Sequence, residues 1–120
     1  MNKWVLLEHK VNSGNSFDIH YDFLLENEKD CLTWKFLKLP LSNQADVEIV
    51  KQPNHRLVWL SRVEHELTRN RGLVKRIDHG TFKNVSDSFD HQCFRFILDG
   101  KLLCGLFEIS GSFCRLRENN

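Results

Sequence analysis

Apolar and polar residues alternate most strictly between Phe17 and Glu26. The apolar positions are Phe17, Ile19, Tyr21, Phe23 and Leu25, and the other face carries Asp18, His20, Asp22, Leu24 and Glu26. A repeat of two residues predicts a β-strand. Because side chains two residues apart share one face of a strand, His20 and Asp22 can reach a common point.

Nine further short apolar runs, separated by turn residues, predict more strands. They are Trp4–His9, Cys31–Leu37, Val47–Lys51, Leu57–Ser61, Leu73–Ile77, Thr81–Val85, Gln92–Leu98, Lys101–Ile109 and Phe113–Arg117. No run has the spacing of a long amphipathic helix. The chain is therefore predicted to be all-β, as a sandwich or a barrel.

The connection between the first two predicted strands matters most for the candidate metal site. Asn12–Ser16 is rich in Gly, Ser and Asn and is predicted to be a loop between the first two strands. Strands joined in this way are expected to be antiparallel neighbours. This arrangement would bring His9 close to His20 and Asp22.

Three other connections are predicted from turn residues. Asp99-Gly100 predicts a two-residue hairpin turn. Ser42–Asp46 and Glu64–Gly72 are predicted to be longer loops, and the second has room for a helical turn that Gly72 would end.

Length and composition fit one domain. A chain of 120 residues with 41% hydrophobic content can bury roughly two thirds of its unfolded surface, so residues 1–120 are expected to form a single domain. The apolar run Trp4–Leu7 is too short for a signal-peptide core or a membrane span, which favours a cytoplasmic protein. The four cysteines lack the spacing of zinc or redox motifs and are expected to be reduced core thiols.

Charge is unevenly distributed, although the net charge is only +1. Phe17–Asp30 holds five acids and one lysine, whereas Lys51–Arg76 holds seven bases and two glutamates. An acidic strand can hold a cation and a basic segment can hold phosphates, which together suit a metal-dependent phosphoester site. The alternative is that scattered Arg and Lys side chains simply solvate the surface.

His9, His20 and Asp22 form the candidate metal site. Two imidazoles and one carboxylate can occupy one side of a divalent ion and leave positions for water and a phosphate oxygen. Ligation by nitrogen and oxygen suits Mn²⁺, Zn²⁺ or Fe²⁺. The alternative interpretation is three ordinary polar groups on the surface.

The residues around this site resemble a known family. His20-Tyr21-Asp22-Phe23, preceded by a strand that ends at His9, is similar to the 3′-phosphoesterase domain of bacterial DNA ligase D, which also exists as a stand-alone repair protein. Further blocks match in the same order, namely Thr33–Lys38, Asn54–Leu57, Asp78–Phe82 and Phe96–Leu102. The resemblance covers nearly the whole chain.

The resemblance implies a closed antiparallel β-barrel of about eight strands with a concave active-site face. The implied activity is that of a hydrolase in DNA repair, a metal-dependent phosphodiesterase or phosphomonoesterase that removes a 3′-phosphate or a 3′-ribonucleotide from DNA ends. The implied cofactor is a divalent ion, with manganese first and zinc second. A separate ligase or polymerase would act with this monomer, which has no membrane role.

The resemblance also assigns roles at the phosphate. His55 corresponds to a histidine that contacts the scissile phosphate, as a general acid or as a stabiliser of developing charge. Lys38 matches a lysine that contacts phosphate as a point charge. From the residues alone, a surface turn histidine and a solvated lysine are the alternatives.

Three positions depart from the family pattern. Leu24 stands where the family usually has an arginine, Trp59 where a tyrosine is common, and Leu7 where a glutamine is usual. The missing arginine removes a bidentate phosphate clamp, which Arg56 or Arg71 is a candidate to replace. These losses keep two other hypotheses open: a non-catalytic barrel that binds nucleic acid or phosphate, and a structural domain that binds a partner protein.

Overall fold

The computed structural model of the protein describes residues 2–13, 16–41, 46–66, 72–86 and 93–117. The strands are β1 (Lys3–Ser13), β2 (Ser16–Glu26), β3 (Cys31–Phe36), β4 (Val47–His55), β5 (Glu64–Glu66), β6 (Leu73–Asn84), β7 (Cys93–Asp99), β8 (Cys104–Ser110) and β9 (Phe113–Arg117). A short 3₁₀ helix, Leu57–Leu60, lies between β4 and β5. The prediction of an all-β fold is confirmed. Within the described ranges, no helix is long and apolar enough to cross a membrane.

All strand pairs are antiparallel, in the order β1-β2-β3-β4-β9-β8-β7-β6-β5. β1 also pairs with β6, so the pairing continues round a ring, and β5 is attached to β6. β1 and β2 are antiparallel neighbours, as predicted. They stay paired as far as Ser13 and Ser16, so their connection is shorter than the predicted loop Asn12–Ser16.

Alternate apolar side chains from the strands fill the inside of the ring. Phe23 stacks on Phe107 with 4.9 Å between ring centroids, and it also contacts the rings of Trp4, Trp34 and Phe36. Such aromatic burial is a large part of the hydrophobic driving force. A second group, here called the outer cluster, lies on the opposite face of β1 and β2. Its members are Val5, Leu7, Leu24, Cys31 and Val74, with Trp59 and Leu60 packed against them.

The predicted strand Leu57–Ser61 is wrong, because this segment contains the 3₁₀ helix. The Trp59 N–H donates to the Arg56 carbonyl at 3.2 Å, which closes a helical turn. A continuous apolar run does not distinguish a strand from a helical turn by its period. The helical conformation lays Trp59 and Leu60 onto the outer cluster, and this burial favours it.

The region before and within β6 also differs from the prediction. Leu73–Ile77 and Thr81–Val85, predicted as two strands, fall within the single strand β6 except for Val85, which follows its last residue. Glu64–Glu66, predicted as loop, forms β5 through pairing with the start of β6. Pairing with the distant strand β1 keeps β6 continuous through the local turn residues, and the start of β6 also pairs with the nearby segment Glu64–Glu66. Gly72 precedes β6 with a φ of 111°, a conformation that favours glycine.

Asp78 decides the shape of the hairpin between β7 and β8. Asp99 pairs with Cys104, so the turn spans residues 100–103 rather than the predicted two residues, and β8 begins later than predicted. The buried Asp78 carboxylate accepts N–H bonds of 2.8–3.0 Å from four backbone amides, those of His79, Lys101, Leu102 and Leu103. A Cβ on Gly100 would clash with this carboxylate and with the Trp4 indole. A long-range contact therefore overrides the local turn preference.

All four cysteines are free thiols. Cys31 and Cys114 are buried, as predicted for core thiols. The prediction is wrong for Cys104, which is exposed, and only partly right for Cys93, which is half-buried. Of the predicted loop Ser42–Asp46, only Asp46 is among the described residues.

Candidate metal centre

The register of β1 and β2 builds the candidate metal centre. His9 lies directly opposite His20, and Leu7 lies directly opposite Asp22. Directly opposite residues project to the same face of an antiparallel pair, as do residues two apart on one strand. All three predicted ligands therefore stand together on the outer face, where the outer cluster also lies.

The ligating atoms of these three residues are close together. His9 Nδ1 lies 3.2 Å from His20 Nε2. His20 Nε2 lies 3.6 Å from Asp22 Oδ2. One ligand atom from each residue lies within 4.8 Å of the other two. Asp22 is buried and both histidines are half-buried, so the group is largely shielded from solvent.

One of these distances already fits a divalent ion. Two ligands that are each about 2.1 Å from an ion lie about 3.0–3.4 Å from one another in octahedral or tetrahedral geometry. The two imidazole nitrogens already have this separation. A buried carboxylate is stabilised by hydrogen bonds or by positive charge that offsets its desolvation, and an ion would add such charge. Two nitrogens and one oxygen suit Mn²⁺, Zn²⁺ or Fe²⁺ without selecting one.

A cavity of about 110 Å³ opens beside the ligands. Its lining consists of His9, Asp22, His55, Leu7, Trp59 and Val74. The structure therefore brings His55, the last residue of β4, to the same cavity as two of the ligands. His55 Nδ1 lies 3.0 Å from the Pro53 carbonyl oxygen. Because a carbonyl only accepts hydrogen bonds, the proton is on Nδ1, and Nε2 is the nitrogen that can exchange one.

One wall of the cavity is apolar because the outer cluster ends there. Leu24, two residues after Asp22 on the same face, is fully buried in that cluster. The three departures from the family pattern, Leu7, Leu24 and Trp59, all belong to the outer cluster or pack against it. They therefore belong to one apolar cluster, of which Leu7 and Trp59 line the cavity and Leu24 is buried.

Cys31 lies in the same cluster without joining the ligands. It pairs with His55 across β3 and β4, and its thiol donates to the Arg56 carbonyl at 3.8 Å. Burial, reinforced by the nearby charges of Asp30 and Glu26, raises the pKa of the Cys31 thiol to about 11. A thiol that stays neutral is a poor metal ligand, so Cys31 is a packing residue of the outer cluster.

Two of the predicted phosphate contacts, Lys38 and Arg56, lie outside the cavity beside the ligands. Lys38 follows β3 and lines a separate cavity of about 530 Å³, whose lining includes residues of β3 and β4. Arg56 is exposed and directly follows His55. Neither residue lines the cavity beside the ligands. Arg71 lies outside the described residues.

Sequence reasoning missed two cations near the site. Lys35 lies opposite Asp22 on β3, so the two Cβ atoms are about 5 Å apart on one face. The turn Asn27–Asp30 sets the register between β2 and β3. Counting outward from this turn along both strands would have identified the pair Asp22 and Lys35. The Arg62 guanidinium lies 4.6 Å from the ring centroid of Trp59. That contact depends on the 3₁₀ helix and leaves no periodic signal in the sequence.

The fold and the ligands together define a class of protein: an all-β protein with a candidate divalent-metal centre on the face of two paired strands. No protein-family model matches the chain, and no curated protein matches it. The candidate centre is therefore defined by its own geometry.

Proposed function

We propose that this protein is a metal-dependent phosphoesterase that processes the 3′ ends of DNA by removing a 3′-phosphate or a 3′-ribonucleotide. The observation that carries this proposal is the close group of His9, His20 and Asp22, two of which, His9 and Asp22, share one small cavity with His55. Metal-assisted phosphoester hydrolysis uses ligands for an ion and a separate group that can transfer a proton. The resemblance of the His20–Phe23 block to the DNA ligase D domain supplies the substrate class.

Each residue has a defined task in this proposal. His9, His20 and Asp22 hold the ion, for which manganese is the first candidate. The bound ion supplies positive charge for the phosphate and activates water. His55 uses Nε2 to donate a proton to the leaving oxygen or a hydrogen bond to the phosphate, while its bond to Pro53 keeps the ring oriented.

We also take the ring of strands to be the closed eight-stranded barrel that the resemblance implies, with β5 as an addition. The pairing of β1 with both β2 and β6 supports closure. A closed sheet has no free edge, which suits a monomer. This monomer would act in the cytoplasm beside a separate ligase or polymerase.

Release of phosphate from a 3′-phosphorylated DNA primer tests the proposal. Protein stripped with a chelator should be inactive and should recover activity with Mn²⁺. His20→Ala should abolish the release of phosphate, and His55→Ala should slow it by about 100-fold or more. Asp18→Asn is the matched control, because Asp18 is exposed on the same face of β2 and is not a ligand. Phosphate release that persists in His20→Ala would contradict the proposal.

A second candidate is a non-catalytic protein that binds nucleic acid or phosphate. The outer cluster favours it, because Leu24 is buried among apolar side chains where the family places its phosphate clamp. Loss of one such charged hydrogen bond costs roughly 2–4 kcal/mol in the transition state, or two to three orders of magnitude in rate. This candidate predicts salt-dependent binding that persists after chelation and in Asp22→Asn, without release of phosphate.

A further inference from the structure

A second polar cavity lies on the same outer face, on the other side of the 3₁₀ helix. Its volume is about 370 Å³, which falls in the range of roughly 300–1,000 Å³ typical of ligand sites. Trp59 of the helix lines the cavity beside the metal ligands, and the next residue, Leu60, lines this one. The helix therefore separates two neighbouring cavities.

The lining of the second cavity is rich in basic side chains. It includes Lys3, Arg76 and His79, and no carboxylate. The Ser61 hydroxyl, also in the lining, donates to the Val58 carbonyl at 3.1 Å. The hydroxyl of Thr81 donates to Asp99 at 2.8 Å. Because both hydroxyl hydrogens are used elsewhere, the side chains that can donate to a ligand are the three basic ones, and these select an anion.

Arg76 is the central donor of this cavity. Its backbone N–H donates to the Val63 carbonyl at 2.7 Å, which holds this part of β6 in place. Its side chain is half-buried, and among the described residues no carboxylate forms an ion pair with it. A partly desolvated guanidinium without an acidic partner favours an anion, and its planar fork fits two phosphate oxygens.

The position of Arg76 relates this cavity to the candidate metal centre. Arg76 on β6 lies opposite Leu7 on β1, and Leu7 lies opposite Asp22 on β2. Two steps between neighbouring strands separate Arg76 from Asp22 by about 10 Å along the sheet. An anion bound at Arg76 would therefore lie near the ligands without contacting them.

We infer that the cavity containing Arg76, His79 and Lys3 is a second anion site, which binds a phosphate group without a metal ion. The phosphate comes either from free phosphate or from the backbone of a nucleic acid. Both sources present phosphate oxygens to the guanidinium, so the experiment needs a different probe for each source. This inference holds whether or not the neighbouring centre hydrolyses phosphoesters.

Calorimetric titration of the full chain in excess chelator tests this inference with two probes. One probe is inorganic phosphate, and the other is a single-stranded hexanucleotide without terminal phosphates. We expect at least one of them to bind, and Arg76→Gln to weaken that binding about tenfold or more through loss of a charged hydrogen bond. Lys75→Gln is the matched control, because Lys75 is exposed on the same strand but does not line the cavity.

The outcomes separate the sources and the alternatives. Binding of phosphate alone assigns a free anion, and binding of the oligonucleotide assigns a nucleic-acid backbone. His79→Gln, a milder change at an exposed residue, should also weaken binding, which guards against a folding defect in Arg76→Gln. The inference is overturned if the chelated protein binds neither probe, or if Lys75→Gln weakens binding as much as Arg76→Gln. Failure of phosphate release by the metal-loaded protein would leave this result unchanged.

Discussion

Substitution of Asp22 by Asn gives the sharpest test of the candidate metal centre, because it removes the charge of one candidate ligand while keeping the shape of the side chain. Asp22 is buried, and its Oδ2 lies 3.6 Å from His20 Nε2. Removal of a residue that only hydrogen-bonds to a metal ligand weakens metal affinity by about 10- to 100-fold. Loss of the charge of a ligand itself should therefore weaken metal affinity by about 100-fold.

The effect of this substitution on thermal stability follows from the fact that metal binds the folded protein and thereby stabilises it. Metal at 100 times its dissociation constant stabilises a folded protein by about 2.7 kcal/mol. For 120 residues, the entropy of unfolding is about 0.25 kcal/mol per degree, so Tm should rise by about 11 °C. At the same metal concentration, a 100-fold weaker site gains only about 0.4 kcal/mol, or less than about 2 °C.

Thermal unfolding followed by circular dichroism, with and without Mn²⁺ or Zn²⁺, measures this difference directly. Asp18→Asn is the control for loss of a carboxylate on β2 and should keep the full metal-dependent rise. An equal rise in wild-type protein and in Asp22→Asn would refute the assignment of Asp22 as a ligand. Absence of a rise in wild-type protein, with either ion, would refute the centre itself.

Three further predictions concern stability measured by urea unfolding. Leu24→Arg should lower the free energy of unfolding by about 3 kcal/mol or more, because an unpaired charge would enter the outer cluster; a loss under 1 kcal/mol would mean that the guanidinium reaches solvent. Asp78→Ala should cost about 3–5 kcal/mol, because it leaves three amides of the turn, including that of the buried Leu103, without their acceptor; a neutral result would show that water replaces the carboxylate. Burial is the largest cause that raises the pKa of the Cys114 thiol from its usual value of 9.0 to about 12. The unfolded chain therefore loses this proton at a lower pH than the folded protein does. Stability should fall as pH rises from 9 towards 12, and Cys114→Ala should make this fall less steep; an unchanged slope would contradict this explanation.

Local sequence was enough to predict most of the strands and the proximity of the three candidate ligands. The alternation from Phe17 to Glu26 reflects backbone geometry alone, so it places His20 and Asp22 on one face in any fold that contains this strand. The short connection to β1 then brings His9 opposite His20, because a hairpin leaves little freedom of register.

Other parts of the site depended on contacts between distant segments. His55 reaches the cavity because β4 pairs with β3, and the apolar run after it becomes a 3₁₀ helix because the outer cluster offers a surface for Trp59. Asp78 appears in the sequence as a turn residue, yet its carboxylate organises a turn from the interior. Alternation in the sequence shows on which face of a strand a side chain lies. Which other residues pack against that face depends on long-range strand pairing and burial, and local residues do not encode these.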